Sequence, residues 1–130
     1  MSKRSHTPTG LQPDLCLESS HDEAAVREVS ESRSGDELLV RTAALFSSMG
    51  DPTRLRLLEA LSIRELCVCD LTDLSGVSQS GVSHQLRVLR KLGLVTFQRD
   101  ANRAIYRLAD DHVRALLRQG FDHAAEEIAK

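Results

Sequence analysis

The cysteines of this chain have a spacing that suggests metal binding through their thiol groups. The 130-residue sequence holds three cysteines, two of them as Cys67-x-Cys69 directly before Asp70. An odd number of cysteines with this close spacing fits reduced thiolates that bind a metal better than it fits a disulfide framework. At the first turn of a short helix, where the backbone is still entering the helix, both sulfurs can converge on one soft or borderline ion.

The N-terminal region offers candidates for further ligands. Two thiolates leave a tetrahedral zinc site two ligands short. The first 20 or so residues are rich in Ser, Thr, Pro and Gly; Cys16 lies within this stretch and His21 directly follows it. A cysteine and a histidine on a mobile arm can fold over a metal held elsewhere, although an incidental cysteine beside a surface histidine is the alternative. We predict a flexible arm over residues 1–35 and a folded domain over residues 36–127.

A second group of potential ligands lies near the C-terminus. Asp110 and His112 begin a predicted helix, and His123 and Glu126 follow later on it as H-x-x-E. The two histidines face nearly the same way but are about 16 Å apart along the axis, so one helix cannot close a site. Two such helices, packed antiparallel across a two-fold axis, would form two equivalent four-ligand sites with nitrogen and oxygen donors.

The stretch between these groups has the pattern of a helix-turn-helix. Gly76 suits the left-handed end of a short helix that stops at about Ser75, and Ser78 suits the N-cap of the next helix. That second helix has one apolar stripe, made of Val82, Leu86, Leu89 and Leu92. Its other side carries hydrogen-bonding groups suited to base edges and phosphates in a major groove. These groups are Gln79, Ser80, Ser83, His84, Gln85 and Arg87.

A β-hairpin follows, and it completes a candidate DNA-binding surface. Residues 94–98 and 104–108 read as strands around a polar turn in which Asn102 can take a positive φ. Residues 79–108 contain six basic residues and one acidic residue, although the whole chain has a formal net charge of −2. Such local positive charge favours phosphate neutralisation. With Ser78, Arg99 and Arg103 added, the polar side of the second helix forms the predicted DNA-binding set.

The remaining helical patterns complete a mainly α fold with a β-hairpin wing. Residues 23–29 can form a short helix, Asp36 is a good N-cap for a helix that runs to Gly50, and Asp51-Pro52 is a good start for the next. In that last helix Leu55, Leu58 and Leu61 are predicted to point inward. Aromatic residues are few, and so light a core favours a dimer through the N- and C-terminal helices.

The motifs ELCVCDL and VSQSGVSHQLRVLRKLGLV, with the following hairpin, resemble those of the ArsR/SmtB family of metal-sensing winged-helix repressors. The resemblance covers residues 36–127. It implies a homodimer that binds operator DNA when metal-free and releases it when metal binds, at genes for zinc efflux or sequestration. It also implies that the arm's ligands come from the other subunit. The D-x-H and H-x-x-E spacing resembles that of the last-helix zinc site in this family.

These observations lead to a hypothesis about Zn(II) as the effector and about which site controls release. We expect that zinc at Asp110, His112, His123 and Glu126 drives dissociation from DNA, because that site joins two rigid helices across the two-fold axis. The cysteine site, made of Cys16, His21, Cys67 and Cys69, would tune affinity or metal choice, because an arm must lose conformational entropy to close it.

Other functions are excluded or remain as alternatives. No apolar run is long enough for a membrane span and no secretory signal is present, so we expect a cytoplasmic protein. Ser83 and His84 lack a nucleophile-elbow context, so we expect no enzyme. One alternative is the same fold sensing As(III), Cd(II), Pb(II) or Cu(I) through Cys67 and Cys69. The other is a thiol-redox protein, although the Cys-x-x-Cys and βαβ pattern of such proteins is absent.

Overall fold

The computed structural model describes residues 15–16 and 21–130, which fall into two units divided after Gly35. In the first unit, Cys16 and His21 are exposed and helix α1 spans Glu23–Ser32. Asp22 caps this helix, because its Oδ1 accepts a hydrogen bond from the backbone N–H of Ala25 at 3.1 Å. The helix runs three residues beyond the predicted end, because no glycine or proline interrupts it before Gly35.

The second unit, Asp36–Lys130, contains five helices and three short strands. In chain order these are α2 (Asp36–Met49), α3 (Pro52–Ile63), β1 (Leu66–Cys67), α4 (Val68–Ser75), α5 (Gln79–Lys91), β2 (Val95–Asp100), β3 (Arg103–Leu108) and α6 (Asp111–Ala129). The start predicted for α3 is confirmed: the Asp51 carboxylate accepts from the Arg54 N–H at 3.1 Å, and Pro52 is the first helical residue. Asp36 lies within the first turn of α2 and is not its N-cap, the position that its residue type predicts.

The helix-turn-helix consists of α4 and α5, and the predicted capping residues between the two helices are confirmed. Gly76 ends α4 with a φ of 72°, the left-handed conformation that glycine adopts without strain. Ser78 caps α5 by accepting from the backbone N–H of Gly81. Val82, Leu86 and Leu89 on α5 have no exposed surface. Each such side chain contributes about 1.5–3 kcal/mol by leaving water, so these three fix which side of α5 faces outward.

The three strands form one antiparallel sheet in the order β1-β3-β2. Strand β1 was not expected, because two residues are too few to give a sequence pattern; it pairs Leu66 with Tyr106. Strands β2 and β3 form the predicted wing, with Asp100 opposite Arg103. The prediction of a positive φ at Asn102 is wrong. Ala101, the first of the two residues between the strands, has a φ of 56°, which fits a two-residue hairpin turn with positive φ at its first position.

The core lies where α3, α4, α5 and α6 meet the sheet. The inward side of α3 consists of Leu57, Leu58 and Leu61, which are almost fully buried, while Leu55 is only partly buried. Val113 and Leu117 dock α6 onto this core. The core therefore holds α5, the second helix of the helix-turn-helix, and α6, which carries candidate metal ligands, on one framework. In the described part of the chain, no helix combines the length and the apolar character needed to cross a membrane.

Candidate nucleic-acid interface and metal sites

The outward side of α5 carries most of the predicted DNA-binding residues. Gln79, Ser80, His84 and Arg87 are exposed, and Ser83 is half-buried. The buried apolar stripe lies on the opposite side of the same helix. The exposed side chains can therefore contact a DNA major groove without disturbing the packing of the core. Ser78 is also exposed, but its Oγ accepts from the backbone N–H of Gly81 at 3.1 Å, so its first role is to cap the helix.

Gln85 occupies a different position from the other predicted reading residues. It is half-buried on the flank of α5 that faces α3. Its Oε1 accepts a hydrogen bond from Nε of Arg54 at 2.7 Å, and the Arg54 guanidinium also donates to Oγ of Ser48 at 3.3 Å. Arg54 lies off the apolar stripe of α3, so the helical periodicity of the sequence gives it no role. Only the spatial meeting of residues 31 positions apart reveals its partner.

The wing is anchored to the end of α5 by aromatic contacts. The Arg90 guanidinium lies 5.0 Å from the centre of the Phe97 ring, and that ring stacks on Tyr106 with a centroid distance of 5.2 Å. A cation over an aromatic face and a stacked aromatic pair each add about 0.5–1.5 kcal/mol beyond area burial. Arg99 and Arg103 on the wing are exposed, and Arg103 pairs with Asp100 at 3.9 Å. The wing therefore presents basic side chains beside the reading helix.

Cys67 and Cys69 lie at the start of α4, as predicted, but their surroundings differ. Cys67 is the N-cap residue and is buried, whereas Cys69 lies in the first turn and is exposed. Both line a cavity of about 350 Å³ between α4, α5 and the wing, together with Gln79 and Arg103. One exposed and one buried thiol in the lining of a cavity suit a site that is closed by ligands from another segment.

The Cys67 thiol does not face solvent but points to a carboxylate. Its Sγ donates to Oδ2 of Asp70 at 3.1 Å, and its backbone N–H donates to the same oxygen at 3.2 Å. The thiol hydrogen bond, followed by the backbone one, lowers the pKa of Asp70 below its ordinary value, and the positive charges of Arg103 and Arg64 act in the same direction against partial desolvation. Asp70 is therefore an anion next to the thiol.

Asp70 is not among the ligands predicted from the sequence, although its spacing from Cys67 carries a signal. A helix that begins at an N-cap residue and has an acidic residue three positions later has half of a capping-box pattern. Cys67 and Asp70 have that spacing. The carboxylate oxygen stands where it can accept from a thiol or, once the thiol is deprotonated, join the sulfur around a cation.

The ligand candidates on α6 lie in two separate pairs. Asp110 caps the helix with Oδ1, which accepts from the backbone N–H of Val113 at 3.1 Å, and its Oδ2 lies 3.6 Å from Nδ1 of His112. His123 and Glu126 are exposed near the other end of the 19-residue helix. Eleven positions of helical rise place His123 about 16 Å from His112 on nearly the same side. Both donor pairs are therefore presented outward, two ligands each.

A further hydrogen bond ties α6 to the framework. Arg114 Nη1 donates to the backbone carbonyl of Ser62, in the last turn of α3. A charged donor at a helix C-terminus satisfies a carbonyl that has no partner within its own helix. The first turn of α6, which carries His112, is thus attached to the end of α3, a few residues before Cys67.

One protomer alone does not complete either candidate metal site. Within residues 15–16 and 21–130, no three side chains of His, Cys, Asp or Glu cluster closely enough to hold an ion. The structure brings Cys67 to Asp70 and Asp110 to His112, while His123 and Glu126 are distant from the latter pair. Cys16 and His21 belong to the other unit of the chain. The donor types fit a zinc-like ion, but each set needs ligands from elsewhere.

The central part of the chain matches a known family. Residues 51–96 match the family described as bacterial regulatory protein, arsR family. A Synechocystis sp. protein described as a transcriptional repressor SmtB homolog is 51% identical over 84 residues, which cover 65% of this chain and 64% of that protein's length. A Staphylococcus aureus protein described as a cadmium resistance transcriptional regulatory protein CadC homolog is 35% identical over 85 residues, which cover 65% and 70%.

A solved structure shows the same architecture. The homodimeric winged helix-turn-helix DNA-binding domain of a Mycobacterium bovis protein, described as a possible ArsR-family transcriptional regulator, superposes with a TM-score of 0.68 at 26% identity. The superposition covers 75% of this chain and 93% of that one. The shared fold and the sequence matches establish that this chain belongs to the ArsR/SmtB family of winged helix-turn-helix transcriptional repressors.

Proposed function

We propose that this chain is a homodimeric repressor that binds operator DNA in the metal-free state and releases it when Zn(II) binds, and that it controls genes of metal efflux or sequestration. The observation that carries the metal dependence is the arrangement on α6: two outward donor pairs, about 16 Å apart, each with half of a tetrahedral ligand set. A second protomer supplies the missing halves.

The DNA-binding part of the proposal is supported by α5 and the wing. The polar side of α5 is exposed, and its N-terminal residues include small hydrogen-bonding groups that reach into a major groove. The wing adds Arg99 and Arg103, which suit the phosphates of the flanking backbone. Two copies related by a two-fold axis would present two reading helices to the half-sites of a palindromic operator.

Exposed apolar surface supports the dimer. On α2, Leu38, Leu39 and Phe46 each keep more than half of their surface exposed in the isolated chain. Phe46 and Phe121 also line an apolar groove of about 330 Å³ between α2 and α6. Apolar surface of this extent on a small domain is typical of an interface. The Mycobacterium bovis neighbour, described as homodimeric, is consistent with this assembly.

The proposed control site lies on the paired α6 helices. Asp110 and His112 of one protomer, with His123 and Glu126 of its partner, would hold the ion, which would supply a positive charge that draws these donors together. Because these residues project from rigid helices, bringing the four donors together would favour one relative position of the subunits. DNA release follows if that position spaces the reading helices less well for the operator. A coupling of about 1.4 kcal/mol changes operator affinity tenfold.

The cysteine site has a tuning role in this proposal. Cys67 and Cys69, with Cys16 and His21 from the other subunit, form its ligand set, and Asp70 adds a carboxylate next to the buried thiol. Closing this site orders an arm, which costs conformational entropy, so binding here need not move the subunits. The arm residues 1–35 and the domain 36–127 thus have separate functions.

A second candidate function is control by a thiophilic ion such as Cd(II), Pb(II), Cu(I) or As(III) at the cysteines. The contact between the Cys67 thiol and the Asp70 carboxylate favours it, because a preformed sulfur and oxygen pair lies in the helix-turn-helix itself. The relative described as a cadmium resistance regulator belongs to the same family. In this version the last-helix residues are inert.

The test is operator binding at fixed salt, with and without each metal, for the parent, His123→Ala and Cys67→Ser. We expect zinc to release the parent and Cys67→Ser but not His123→Ala. The reverse pattern assigns control to the cysteine site, and release by cadmium alone selects the second candidate. Failure of the parent to bind any DNA with sequence preference would contradict the repressor function and favour thiol chemistry without DNA.

A further inference from the structure

The side chain of Arg54 joins three helices of the DNA-binding domain. Its backbone is fixed in the first turn of α3, where the N–H donates to the Asp51 carboxylate at 3.1 Å. From there Nε donates to Oε1 of Gln85 on α5 at 2.7 Å, and Nη1 donates to Oγ of Ser48 on α2 at 3.3 Å. Ser48 is only 4% exposed. The guanidinium is thus directed inward, between α2 and the reading helix.

This contact determines how the Gln85 amide is oriented. Arginine offers donors and no acceptor, so the amide oxygen of Gln85 must face it. The amide nitrogen, with its two N–H donors, is then directed away from Arg54. A hydrogen bond from a charged donor is roughly twice as strong as a neutral one, and this one is partly shielded from water. The orientation of the amide is therefore set before any DNA arrives.

The orientation has a consequence for base recognition. A glutamine that reads adenine in the major groove uses both ends of its amide: the oxygen accepts from N6–H and the nitrogen donates to N7. In this chain the oxygen of Gln85 is engaged by Arg54, so the groove meets mainly its two donors. Donors of this kind match the acceptor edges of guanine, O6 and N7, or the O4 of thymine.

We propose that Arg54 is a positioning residue for DNA recognition, which holds Gln85 as a donor-only contact to an acceptor edge in the major groove. The inference rests on the proposed DNA-binding function and deepens it by assigning the chemistry of one base contact. It also separates Gln85 from the exposed residues Arg87 and His84, whose side chains are free to adjust on binding.

Two neighbouring arginines on α3 provide a matched comparison. Arg56 is also on α3 and carries the same charge, but its side chain is 70% exposed and pairs with Glu59 at 3.5 Å within the same helix. Replacing either arginine removes one positive charge from α3, whereas only the Arg54 replacement removes the contact to α5. Arg56→Met is therefore the control for Arg54→Met.

The experiment uses a duplex selected by the full-length parent from randomised DNA, and a random duplex of equal length, over a series of salt concentrations. Arg54→Met and Gln85→Met should each lower the ratio of selected to random affinity about tenfold, and the double variant should lose no more than either one. The salt slope should stay unchanged, because Arg54 neutralises no phosphate. Arg56→Met should leave the ratio unchanged.

Gln85→Glu separates recognition from folding. The glutamate keeps an acceptor for Arg54, so the melting temperature should not fall, but it removes both donors, so the selected duplex should be lost preferentially. Additive losses in the double variant, a salt slope reduced by about one in Arg54→Met, or equal losses on both duplexes would each overturn the inference. If the parent itself shows no sequence preference, the proposed DNA-binding function is wrong as well. The other contradicting results appear only in the variants, so the two kinds of failure can be told apart.

Discussion

The Sγ of Cys67 lies 3.1 Å from Oδ2 of Asp70, and the same oxygen also accepts the backbone N–H of Cys67. One carboxylate therefore serves both the start of α4 and the buried thiol. In the metal-free protein this arrangement stabilises the helix-turn-helix locally, because the first turn of a helix otherwise leaves N–H groups without partners. In the cysteine site proposed above, the same arrangement would place an oxygen beside the sulfur, and the thiol proton would have to leave before a metal binds.

Acid stability should report this contact. Hydrogen bonds from Cys67 lower the pKa of Asp70 from its ordinary value of 3.8. A carboxyl whose pKa is lower in the folded state contributes stability that is present above the unfolded value and is lost as the pH falls through the folded value. Between neutral pH and pH values below 3.8, the metal-free parent should therefore lose more stability than Asp70→Asn, as measured by urea unfolding at each pH.

The control for this prediction is Asp73→Asn, which removes a carboxylate from the exposed side of the same helix. Its loss of stability on acidification should parallel that of the parent. If Asp70→Asn and the parent lose stability equally, the carboxylate contributes nothing through the Cys67 contact, and the thiol hydrogen bond is not maintained in solution.

The hairpin turn should become more stable when Ala101 is replaced by glycine. Ala101 has a φ of 56°, and a left-handed conformation costs a residue with a side chain about 1–2 kcal/mol. Glycine removes this strain, but it loses more conformational entropy on folding, which lowers stability by about 0.5–1 kcal/mol. We expect a net gain of up to about 1.5 kcal/mol in the free energy of unfolding, measured in denaturant. Asn102→Gly, at the neighbouring position, should only destabilise; a gain there would mean that the turn is of another type.

DNA contacts should divide into two kinds. Arg87 is exposed on the outward side of α5, so Arg87→Ala should weaken binding to the selected operator more than to random DNA. Arg103 lies on the wing and is exposed, so Arg103→Ala should weaken both and reduce the salt slope by about one. Equilibrium binding over a salt series distinguishes these results. Equal losses on both DNAs for both variants would show that the reading side of α5 has been misplaced.

Local signals predicted much of the fold. Gly76 and Ser78 marked the turn of the helix-turn-helix, because left-handed caps and N-caps depend on one residue each. The buried stripe of α5 followed from periodicity alone. In contrast, β1 has only two residues and no sequence pattern of its own. The pairing of Asp100 with Arg103 makes Ala101 the first residue of the turn, so strand register and not residue preference places the positive φ there.

The candidate sites divide in the same way. Residues that share a helix, such as Asp110 and His112, could be grouped from spacing, and the structure places them 3.6 Å apart. Arg54 and Gln85 are 31 positions apart, so nothing in the sequence pattern pairs them. Cys16 and His21 belong to the other unit of the chain, so no spacing within α4 pairs them with its cysteines.

Mixed dimers should reveal whether the last-helix sites are shared between subunits. His112→Ala and His123→Ala each break both sites of their own homodimer, because every site would take one histidine from each protomer. After the two variants are unfolded together and refolded at equal concentration, about half of the dimers contain one copy of each. One of the two sites in such a dimer has lost both histidines and the other has kept both. Zinc binding, measured with a competing chelator in a cysteine-free background, should therefore recover to about a quarter of the parent's capacity.

Refolding His112→Ala with the double variant His112→Ala/His123→Ala is the control and should restore nothing. If the mixture binds no more zinc than the separate variants, or if either variant alone keeps the parent's capacity, the two helices do not form sites across the two-fold axis.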